Sequence, residues 1–387
     1  MFRPAIIFLL ALLILPTASI RATETKQGFP EITGPCDFSF PRDHGEHPDH
    51  RIEWWYYTGN LRTDAGRPFG FQLTFFRSRL QPPGSEEQPT SPSSWRTSQL
   101  YLAHFALSDL AAEAFRYEKR TVRGAMDLAG VEQDANQVRI HLRDWHAAIT
   151  PDGHVLSASA PSAGPGIGLE LHLVPRKPIA VQGAGGYSRK GIRPESASCY
   201  YSFTRFQAQG TVRVGGDEYA VTGQAWMDHE YSSNLLEGGL TGWDWFSIQL
   251  DDGWDVMAFR LRPEDQGTDQ AHGGWSSGSL ISPEGRVTPL GPDQIEFTPL
   301  RTWTSPASGA TYPLHWEISV PSANLRLRVT PRLQDQELVS EPGTGGVTYW
   351  EGSISVQGTR SDRPVSGLGY AELTGYAGPV PLGPARQ

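Results

Sequence analysis

Three consecutive ionisable residues, Asp228, His229 and Glu230, lie near the middle of the chain and could carry acid–base chemistry. A histidine titrates near neutral pH, and carboxyl groups beside it can tune its pKa or exchange protons themselves. Tyr231 follows directly and could act as a hydrogen-bond donor. The group therefore predicts a catalytic site with Asp228 and Glu230 as acid or base and with His229 tuned by them.

The position of this group in a strand limits that interpretation. Residues 221–227 have the composition of a β-strand that leads into it. Side chains alternate along an extended chain, so Asp228 and Glu230 point to one face and His229 to the other. All three line one cavity only if the strand is bulged or ends there. The alternative is a polar corner between two domains, in which the charges satisfy each other.

Aromatic residues supply the candidate ligand-binding surface. Four aromatic residues follow Glu53, and a Trp-Asp-Trp run begins at Trp243. Such side chains either line an apolar cavity or fill it, and a buried Glu53 requires a partner such as Arg51 or Arg77. His104 lies in an apolar run and is either a hydrogen-bonded core residue or a cavity-lining one. The predicted ligand-binding residues are Glu53, Trp54, Trp55, Tyr57, His104, Trp226, Trp243 and Trp245.

A polar loop at residues 40–50 contains three histidines and two aspartates. These residue types suggest a metal site, but Gly45 and Pro48 interrupt any regular ligand spacing. Solvated or capping histidines are the more common explanation. The sequence therefore predicts no metal ion and no cofactor. It also lacks the Gly-x-Ser-x-Gly motif and the zinc-binding helix of the best-known hydrolases.

Short strands must position all these residues. Residues 51–61 and 69–77 form an aromatic hairpin, and the same pattern returns at residues 243–250 and 256–260. Segments 221–228 and 365–372 share the order Val, polar, Gly, any, small, aromatic, any, acid, which indicates a duplication. We therefore predict an all-β fold of two tandem antiparallel barrels, closed or nearly closed, each able to enclose a small apolar ligand. The predicted boundaries are 1–22 for a signal peptide, 23–231 for the N-terminal barrel with its polar loop, and 232–387 for the C-terminal barrel.

Composition and the N-terminus define the class of protein. A net charge of −9 without a dense basic cluster argues against nucleic acid as a partner. After Arg3 comes an apolar core of about 11 residues, which is typical of a signal peptide and too short to span a bilayer. The sequence therefore predicts export to the periplasm or the medium and no transmembrane segment after signal removal. Cys36 and Cys199 either form a disulfide, as export permits, or remain two buried thiols.

The motifs together resemble a known family. They look like the lipocalin-like family that includes hydroxyneurosporene synthase, a carotenoid hydratase, and many exported relatives described as secreted hydrolases. The resemblance extends from about residue 38 to residue 376. The motifs are Asp43-His-Gly45, Glu53-Trp-Trp-Tyr-Tyr-Thr-Gly59, Gln72-Leu-Thr-Phe-Phe-Arg77, Ala103-His104, Trp226-Met-Asp-His-Glu230, Gly242-Trp-Asp-Trp245, Tyr349-Trp-Glu-Gly352 and Gly369-Tyr-Ala-Glu-Leu-Thr-Gly-Tyr376.

The resemblance implies two lipocalin-like barrels and a small apolar ligand of isoprenoid or lipid-like character. The family's hydratase protonates an alkene and steers water to the resulting cation. Its His-x-aromatic element resembles His229-Glu-Tyr231, whereas its downstream Tyr-x-Asp element has no match, and Asp244 stands in for it by position only. The implied functions are a hydratase or hydrolase acting on such a ligand or, alternatively, a non-catalytic carrier that binds it.

Overall fold

The computed structural model of the protein describes residues 28–85, 97–233, 239–263, 275–340, 346–378 and 380. Strands make up 62% of the structure and helices only 3%, so the prediction of an all-β fold is confirmed. The strands form two curled antiparallel sheets with near-barrel and half-barrel shapes, in agreement with the tandem barrels predicted from the sequence. The helical pieces are three 3-10 turns, at Arg42–His44, Pro292–Gln294 and Pro321–Ala323.

The predicted signal peptide and the predicted domain boundary involve residues that the structure does not describe. The predicted signal peptide, residues 1–22, lies outside the described residues, as do residues 234–238 just after the predicted domain boundary. Within the described ranges, no helix has the length and apolar character needed to cross a membrane.

The first sheet has 13 strands in the order β4-β3-β2-β1-β13-β12-β9-β8-β7-β6-β5, with β10 and β11 paired to β12. Its strands are β1 (Ile52–Arg62), β2 (Pro68–Arg79), β3 (Gln99–Asp109), β4 (Ala114–Arg123), β5 (Ala129–Gln133), β6 (Val138–Leu142), β7 (Trp145–Thr150), β8 (Gly153–Ala160), β9 (Ile167–Pro175), β10 (Ala180–Val181), β11 (Tyr187–Arg189), β12 (Ala197–Val214) and β13 (Asp217–Ser232).

The second sheet has 10 strands in the order β17-β16-β15-β14-β23-β22-β20-β19-β18, with β21 paired to β22. Its strands are β14 (Leu240–Leu250), β15 (Asp255–Pro263), β16 (Trp275–Ile281), β17 (Val287–Leu290), β18 (Glu296–Thr304), β19 (Thr311–Val320), β20 (Leu325–Pro331), β21 (Glu337–Leu338), β22 (Tyr349–Arg360) and β23 (Arg363–Leu373).

The strand order repeats between the two sheets. In each sheet the first strand, β1 or β14, lies between its hairpin partner and the last strand, β13 or β23. The registers correspond as well, since Asp228 lies opposite Tyr56 and Glu372 lies opposite Trp245. The repeated sequence pattern therefore describes two structurally equivalent halves, in which Asp228 and Glu372 hold the same position.

Alternation along each strand divides the side chains between two environments. On β2, Phe69, Phe71, Leu73 and Phe75 are at most 1% exposed and pack in the core of the first sheet, as the sequence predicts. The opposite faces of the central strands of the two sheets meet each other. We call the cluster between them the interface layer; it contains Tyr56, Ala180, Tyr200, Trp226, Trp245, Met257, Phe259, Leu261, Ile281 and Tyr370, with Trp54, Leu240, Trp243, Trp275 and Val287 packed against it.

The N-terminal segment, residues 28–51, is fastened to the first sheet. Cys36 and Cys199 form a disulfide across a Cα–Cα distance of 5.8 Å, which decides between the two alternatives left open by the sequence. Further along, the fully buried guanidinium of Arg77 donates hydrogen bonds to the carbonyl oxygens of His47 (2.7 Å) and His50 (3.0 Å). The polar loop is thereby held over the edge of β1 and β2.

Candidate active site between the two sheets

The paired strands β1 and β13 carry chemically active side chains on both faces. The side chains of Asp228 and Glu230 point toward the interface layer. Those of His229 and Tyr231 point to the opposite face of the strand, on the inner side of the first sheet. The strand is not bulged at this point, because β1 and β13 stay in register from Ile52 to Arg62. The alternation expected from the sequence therefore holds, and the three ionisable residues do not share one site.

Asp228 is a desolvated carboxyl group with good hydrogen-bond partners. It accepts hydrogen bonds from the Ser202 hydroxyl (2.5 Å) and from the indole N–H of Trp226 (2.7 Å). Burial raises the pKa of Asp228 to about 7, and those hydrogen bonds oppose the shift. Its neighbour Glu230 forms an ion pair with Lys190 at 2.7 Å and accepts a hydrogen bond from Ser198.

The second sheet contributes two further carboxyl groups that sequence reasoning missed. Glu351 and Glu372 face each other on β22 and β23, on the side turned toward the interface layer. Burial raises the pKa of Glu372 to about 7, the nearby charges of Asp228 and Glu230 raise it further, and the Trp243 side chain opposes the shift. Burial also raises the pKa of Glu351 well above its ordinary value, with the charge of Glu372 adding to the effect.

Glu351 is unusual in its lack of partners. It is 1% exposed, yet neither carboxyl oxygen forms a hydrogen bond of normal geometry with any described residue. The hydroxyls of Tyr56 and Tyr349 approach it closely enough to oppose its pKa shift, but the Tyr56 hydroxyl is also without a well-formed hydrogen bond. Buried polar groups nearly always have partners, and the nearest to Glu351 are these two tyrosine hydroxyls.

Aromatic side chains surround this acidic region, which we call the cleft between the two sheets. Glu372 as a whole residue is half-buried, while its carboxyl group is strongly desolvated. Trp54, Phe76 and Trp243 on the same side of the two sheets are half-buried too. Deeper in the layer, Trp245 lies edge-on to Tyr56 with ring centroids 5.1 Å apart. The cleft therefore combines carboxyl groups of raised pKa with aromatic faces.

Several of the predicted ligand-binding residues contribute to this layer. Trp54, Trp226, Trp243 and Trp245 belong to it. His104 is buried beside it, and its Nδ1 lies 2.7 Å from the Tyr349 hydroxyl, so it is hydrogen-bonded across the two sheets. That contact fits the core interpretation of His104.

The remaining predicted residues of the first half lie on the other face of β1 and β13. Glu53 forms the expected ion pair with Arg77, at 2.9 Å, and Nε2 of His229 lies 2.8 Å from Glu53. Burial lowers the pKa of His229, although the hydrogen bond with Glu53 opposes this. Trp55 stacks on His229 with a centroid distance of 4.8 Å. The hydroxyl of Tyr57 lies 3.0 Å from Nδ1 of His154.

This second group also includes a residue of the polar loop. The ring of His47 stacks on Tyr231 at 3.6 Å, and its Nδ1 lies 2.8 Å from Glu53. Ligand atoms of His47, Glu53 and His229 all lie within 4.8 Å of one another, a spacing at which three side chains can hold a metal ion. No regular spacing indicates this group in the sequence, because its members come from a loop and from two strands that are distant along the chain.

Asp244 does not join either group. It is buried on the inner face of the second sheet, where Arg260 (2.7 Å) and Arg262 (2.6 Å) form ion pairs with it. The Tyr376 hydroxyl donates a further hydrogen bond at 2.8 Å. Two arginines and a tyrosine thus occupy the oxygens of Asp244, so its place in the structure favours a role in stability.

An open surface groove lies elsewhere on the first sheet. It has a volume of about 730 Å³, and Val155, His172 and Gln209 are among its lining residues. Its exposed lining residues belong to β8, β9 and β12, and none of the carboxyl groups of the interface layer reaches it. The carboxyl groups of raised pKa therefore lie between the sheets and not in this groove.

The repeated sequence pattern contains the signal that could have identified Glu372. The pattern ends on an acid in both copies, Asp228 in the first and Glu372 in the second. A candidate acid at Asp228 in the first copy therefore indicates Glu372 as its counterpart in the second copy. The structure brings both acids to the same layer, where the charge of Asp228 contributes to the raised pKa of Glu372.

Comparison with known proteins identifies related chains. A crystal structure of an AttH protein from Nitrosomonas europaea shares 36% sequence identity, covers 90% of this chain and 99% of its own, and superposes with a TM-score of 0.77. Kievitone hydratase from Nectria haematococca has the same fold, with a TM-score of 0.60, 14% identity, and coverage of 91% of this chain and 99% of that one.

A sequence relative points to the same group of proteins. Kievitone hydratase from Fusarium solani subsp. phaseoli is 25% identical over 174 residues, which cover 43% of this chain and 46% of the hydratase. The match thus spans less than half of that protein's length. The sequence model of the AttH-like family, in contrast, matches residues 31–376, nearly all of the described chain, and we conclude that this protein belongs to the AttH-like family.

Proposed function

We propose that the protein is a hydratase that adds water across a carbon–carbon double bond of an apolar substrate bound between the two sheets. The observation that carries the proposal is the pair Glu351 and Glu372, two desolvated carboxyl groups with raised pKa values beside half-buried tryptophans. Protonated carboxylic acids are proton donors at neutral pH, and aromatic faces stabilise positive charge. The relationship to kievitone hydratase supports the same reaction class.

The geometry assigns a role to each group. Glu372, in the cleft, gives its proton to one alkene carbon, and the π electrons form the new carbon–hydrogen bond. The cation left on the neighbouring carbon lies against the faces of Trp54 or Trp243. Water then attacks the cation, and the proton that it releases returns to the carboxylate group, directly or through Glu230. Alkene and water thus yield one alcohol, with no redox change.

The proposed substrate class is an uncharged apolar molecule with an isoprenoid-like double bond. Tryptophan and tyrosine side chains dominate the interface layer and offer apolar surface. The Lys190 ammonium, which lies over the rings of Tyr200 and Phe259 in this layer, is paired with Glu230. An anionic substrate would meet four carboxyl groups and be disfavoured. The resemblance to hydroxyneurosporene synthase, a carotenoid hydratase, is consistent with this class.

Incubation of the purified protein with kievitone, and separately with farnesol, in isotopically labelled water tests the proposal. We expect one of these substrates to gain the mass of one labelled water molecule, detected by mass spectrometry, at a rate proportional to protein concentration. A ligand that binds stoichiometrically and is recovered unchanged would instead support a non-catalytic carrier. If the protein neither binds nor converts any isoprenoid, the proposal is refuted.

We also propose that the protein is exported. The apolar N-terminal segment is the reason, and the disulfide between Cys36 and Cys199 supports it, because such bonds persist in oxidising compartments. We expect the protein from an extracytoplasmic fraction to begin near Thr23 and to contain no free thiol after denaturation without reductant. The measurements are N-terminal sequencing and thiol titration. A full-length cytoplasmic protein with two titratable thiols would contradict export.

A further inference from the structure

The geometry points to a binding site for a divalent transition-metal ion, Zn²⁺ by its ligand chemistry, formed by His47, Glu53 and His229 on the inner side of the first sheet. The site goes beyond the proposed hydration, since it lies on the opposite face of β1 and β13 from Asp228 and Glu230. Oε1 of Glu53 lies 2.8 Å from Nδ1 of His47 and 2.8 Å from Nε2 of His229. All three ligand atoms lie within 4.8 Å of one another.

These separations fit an ion with only small adjustments. Zinc binds imidazole nitrogen and carboxylate oxygen at about 2.0–2.2 Å, so ligand atoms around a tetrahedral ion lie about 3.4 Å apart. The two contacts to Glu53 must therefore open by less than about 1 Å, and the two ring nitrogens, which lie within 4.8 Å of each other, must approach by at most about 1.4 Å. Two histidines and one glutamate with a free fourth position form a common zinc ligand set, and the same mixture of nitrogen and oxygen donors suits Zn²⁺ better than Ca²⁺ or Mg²⁺.

The outer partners of the ligands have the arrangement expected around a metal. The second ring nitrogen of His47, Nε2, lies 3.2 Å from the Asp43 carboxylate, and the second nitrogen of His229, Nδ1, lies 2.8 Å from the Tyr201 hydroxyl. Metal-binding histidines usually place their free nitrogen against a carboxylate or another polar group, which fixes the ring orientation. Arg77 holds the other oxygen of Glu53 at 2.9 Å, so only Oε1 remains available.

Aromatic rings hold both imidazoles in place and exclude water. Tyr231 stacks on His47 at a centroid distance of 3.6 Å with an interplanar angle of 13°, and Trp55 stacks on His229 at 4.8 Å. The side chains of Glu53 and His229 have no exposed surface, and that of His47 is 17% exposed. Access to the site therefore runs past His47, which lies on the polar loop of residues 40–50.

Calorimetric titration of chelator-treated protein with Zn²⁺ tests the inference directly. We expect one ion per chain, and we expect Co²⁺ bound in its place to show the visible absorption of a four-coordinate nitrogen–oxygen site. His47→Ala should weaken binding more than about 100-fold, and Asp43→Asn, which only orients His47, should weaken it about 10–100-fold. His172→Ala, on the outer groove of the same sheet, is the matched control and should bind as the wild type does.

The result that overturns the inference is equally direct. Wild-type protein that binds no Zn²⁺, or His47→Ala protein that binds it as tightly as the wild type, would show that the three side chains form only a hydrogen-bonded network. Circular dichroism of each variant verifies that it is folded. If His47→Ala does not fold, the wild-type stoichiometry and the Co²⁺ spectrum decide the question alone.

Discussion

Replacement of Glu372 by glutamine is expected to lower the rate of substrate hydration at least about 100-fold while the protein stays folded, because a positioned general acid contributes about 100- to 10,000-fold to a rate. Glutamine keeps the shape and hydrogen-bonding capacity of the side chain but cannot release a proton to an alkene. The measurement is turnover per folded molecule, with a thermal melt in parallel. Glu296→Gln is the matched control, because Glu296 is exposed on the edge strand β18, and it should retain full activity.

The pH profile provides an independent measurement of the same group. The pKa of Glu372 is raised to about 7 in the folded protein from an ordinary value of 4.5, so the acid is protonated below that range. Activity should therefore fall as the pH rises through about 7. The stability contributed by this group is fully present below pH 4.5 and should be lost as the pH rises from there through about 7. The Glu372→Gln variant should lose this pH dependence of stability. The titratable groups that surround Glu372 are Asp228, Glu230, Lys190, Glu351, Tyr56 and Tyr349.

An unchanged rate in Glu372→Gln would contradict the assignment of the proton donor. If Glu351→Gln then lost activity instead, the donor would be the neighbouring acid in the same cleft. If neither variant lost activity, the cleft would not be the catalytic site, even where hydration itself had been detected.

Replacement of Arg77 by methionine is expected to lower the free energy of unfolding by about 3–5 kcal/mol, because it leaves a buried carboxylate without its counter-ion. Arg77 and Glu53 have no exposed surface, and Arg77 also donates to the Gln99 side chain and to two carbonyls of the N-terminal segment. Denaturant unfolding monitored by tryptophan fluorescence measures the loss. Arg62→Met, an exposed arginine at the end of β1, should change stability by less than about 0.5 kcal/mol.

Low pH should weaken the stability contributed by the buried pair Glu53 and Arg77. Burial alone would raise the pKa of Glu53, but hydrogen bonds from His229 and His47 and the charge of Arg77 lower it well below 4.5. This stability is present above pH 4.5 and is lost as the pH falls toward the folded-state value. The double variant Glu53→Gln with Arg77→Met should lose less than the sum of the single variants, since it removes the unpaired charge. Strictly additive losses would show that the two side chains do not interact.

Much of the fold could be predicted from local patterns in the sequence. The two-residue alternation of Phe69, Phe71, Leu73 and Phe75 predicts a strand with one buried face, and the structure places these side chains in the core. The repeated hairpin predicts two equivalent halves, and the strand orders of the two sheets agree with each other. The same alternation separates His229 from Asp228 and Glu230, as the structure shows.

The composition of the candidate sites depended on contacts between distant segments. Glu351 and Glu372 approach Asp228 only because the second sheet packs against the first, a contact that no local pattern encodes. His47 reaches Glu53 because a disulfide and Arg77 hold its loop in place. Asp244 is the converse case. Its position between two tryptophans in the sequence suggested a catalytic role, but in the structure it forms ion pairs with two arginines of the neighbouring strand.

The meeting of equivalent positions from the two halves has a consequence for how such a cleft can be specialised. If each half were a separate chain, the contact would be that of a two-fold symmetric dimer, in which both copies must carry the same residue at a given position. A single continuous chain removes that requirement. Here one copy has aspartate, hydrogen-bonded by Ser202 and Trp226, and the other has the longer, half-buried Glu372. Linkage of the two halves thus allows one carboxyl group to meet a substrate while its counterpart shapes the electrostatic surroundings.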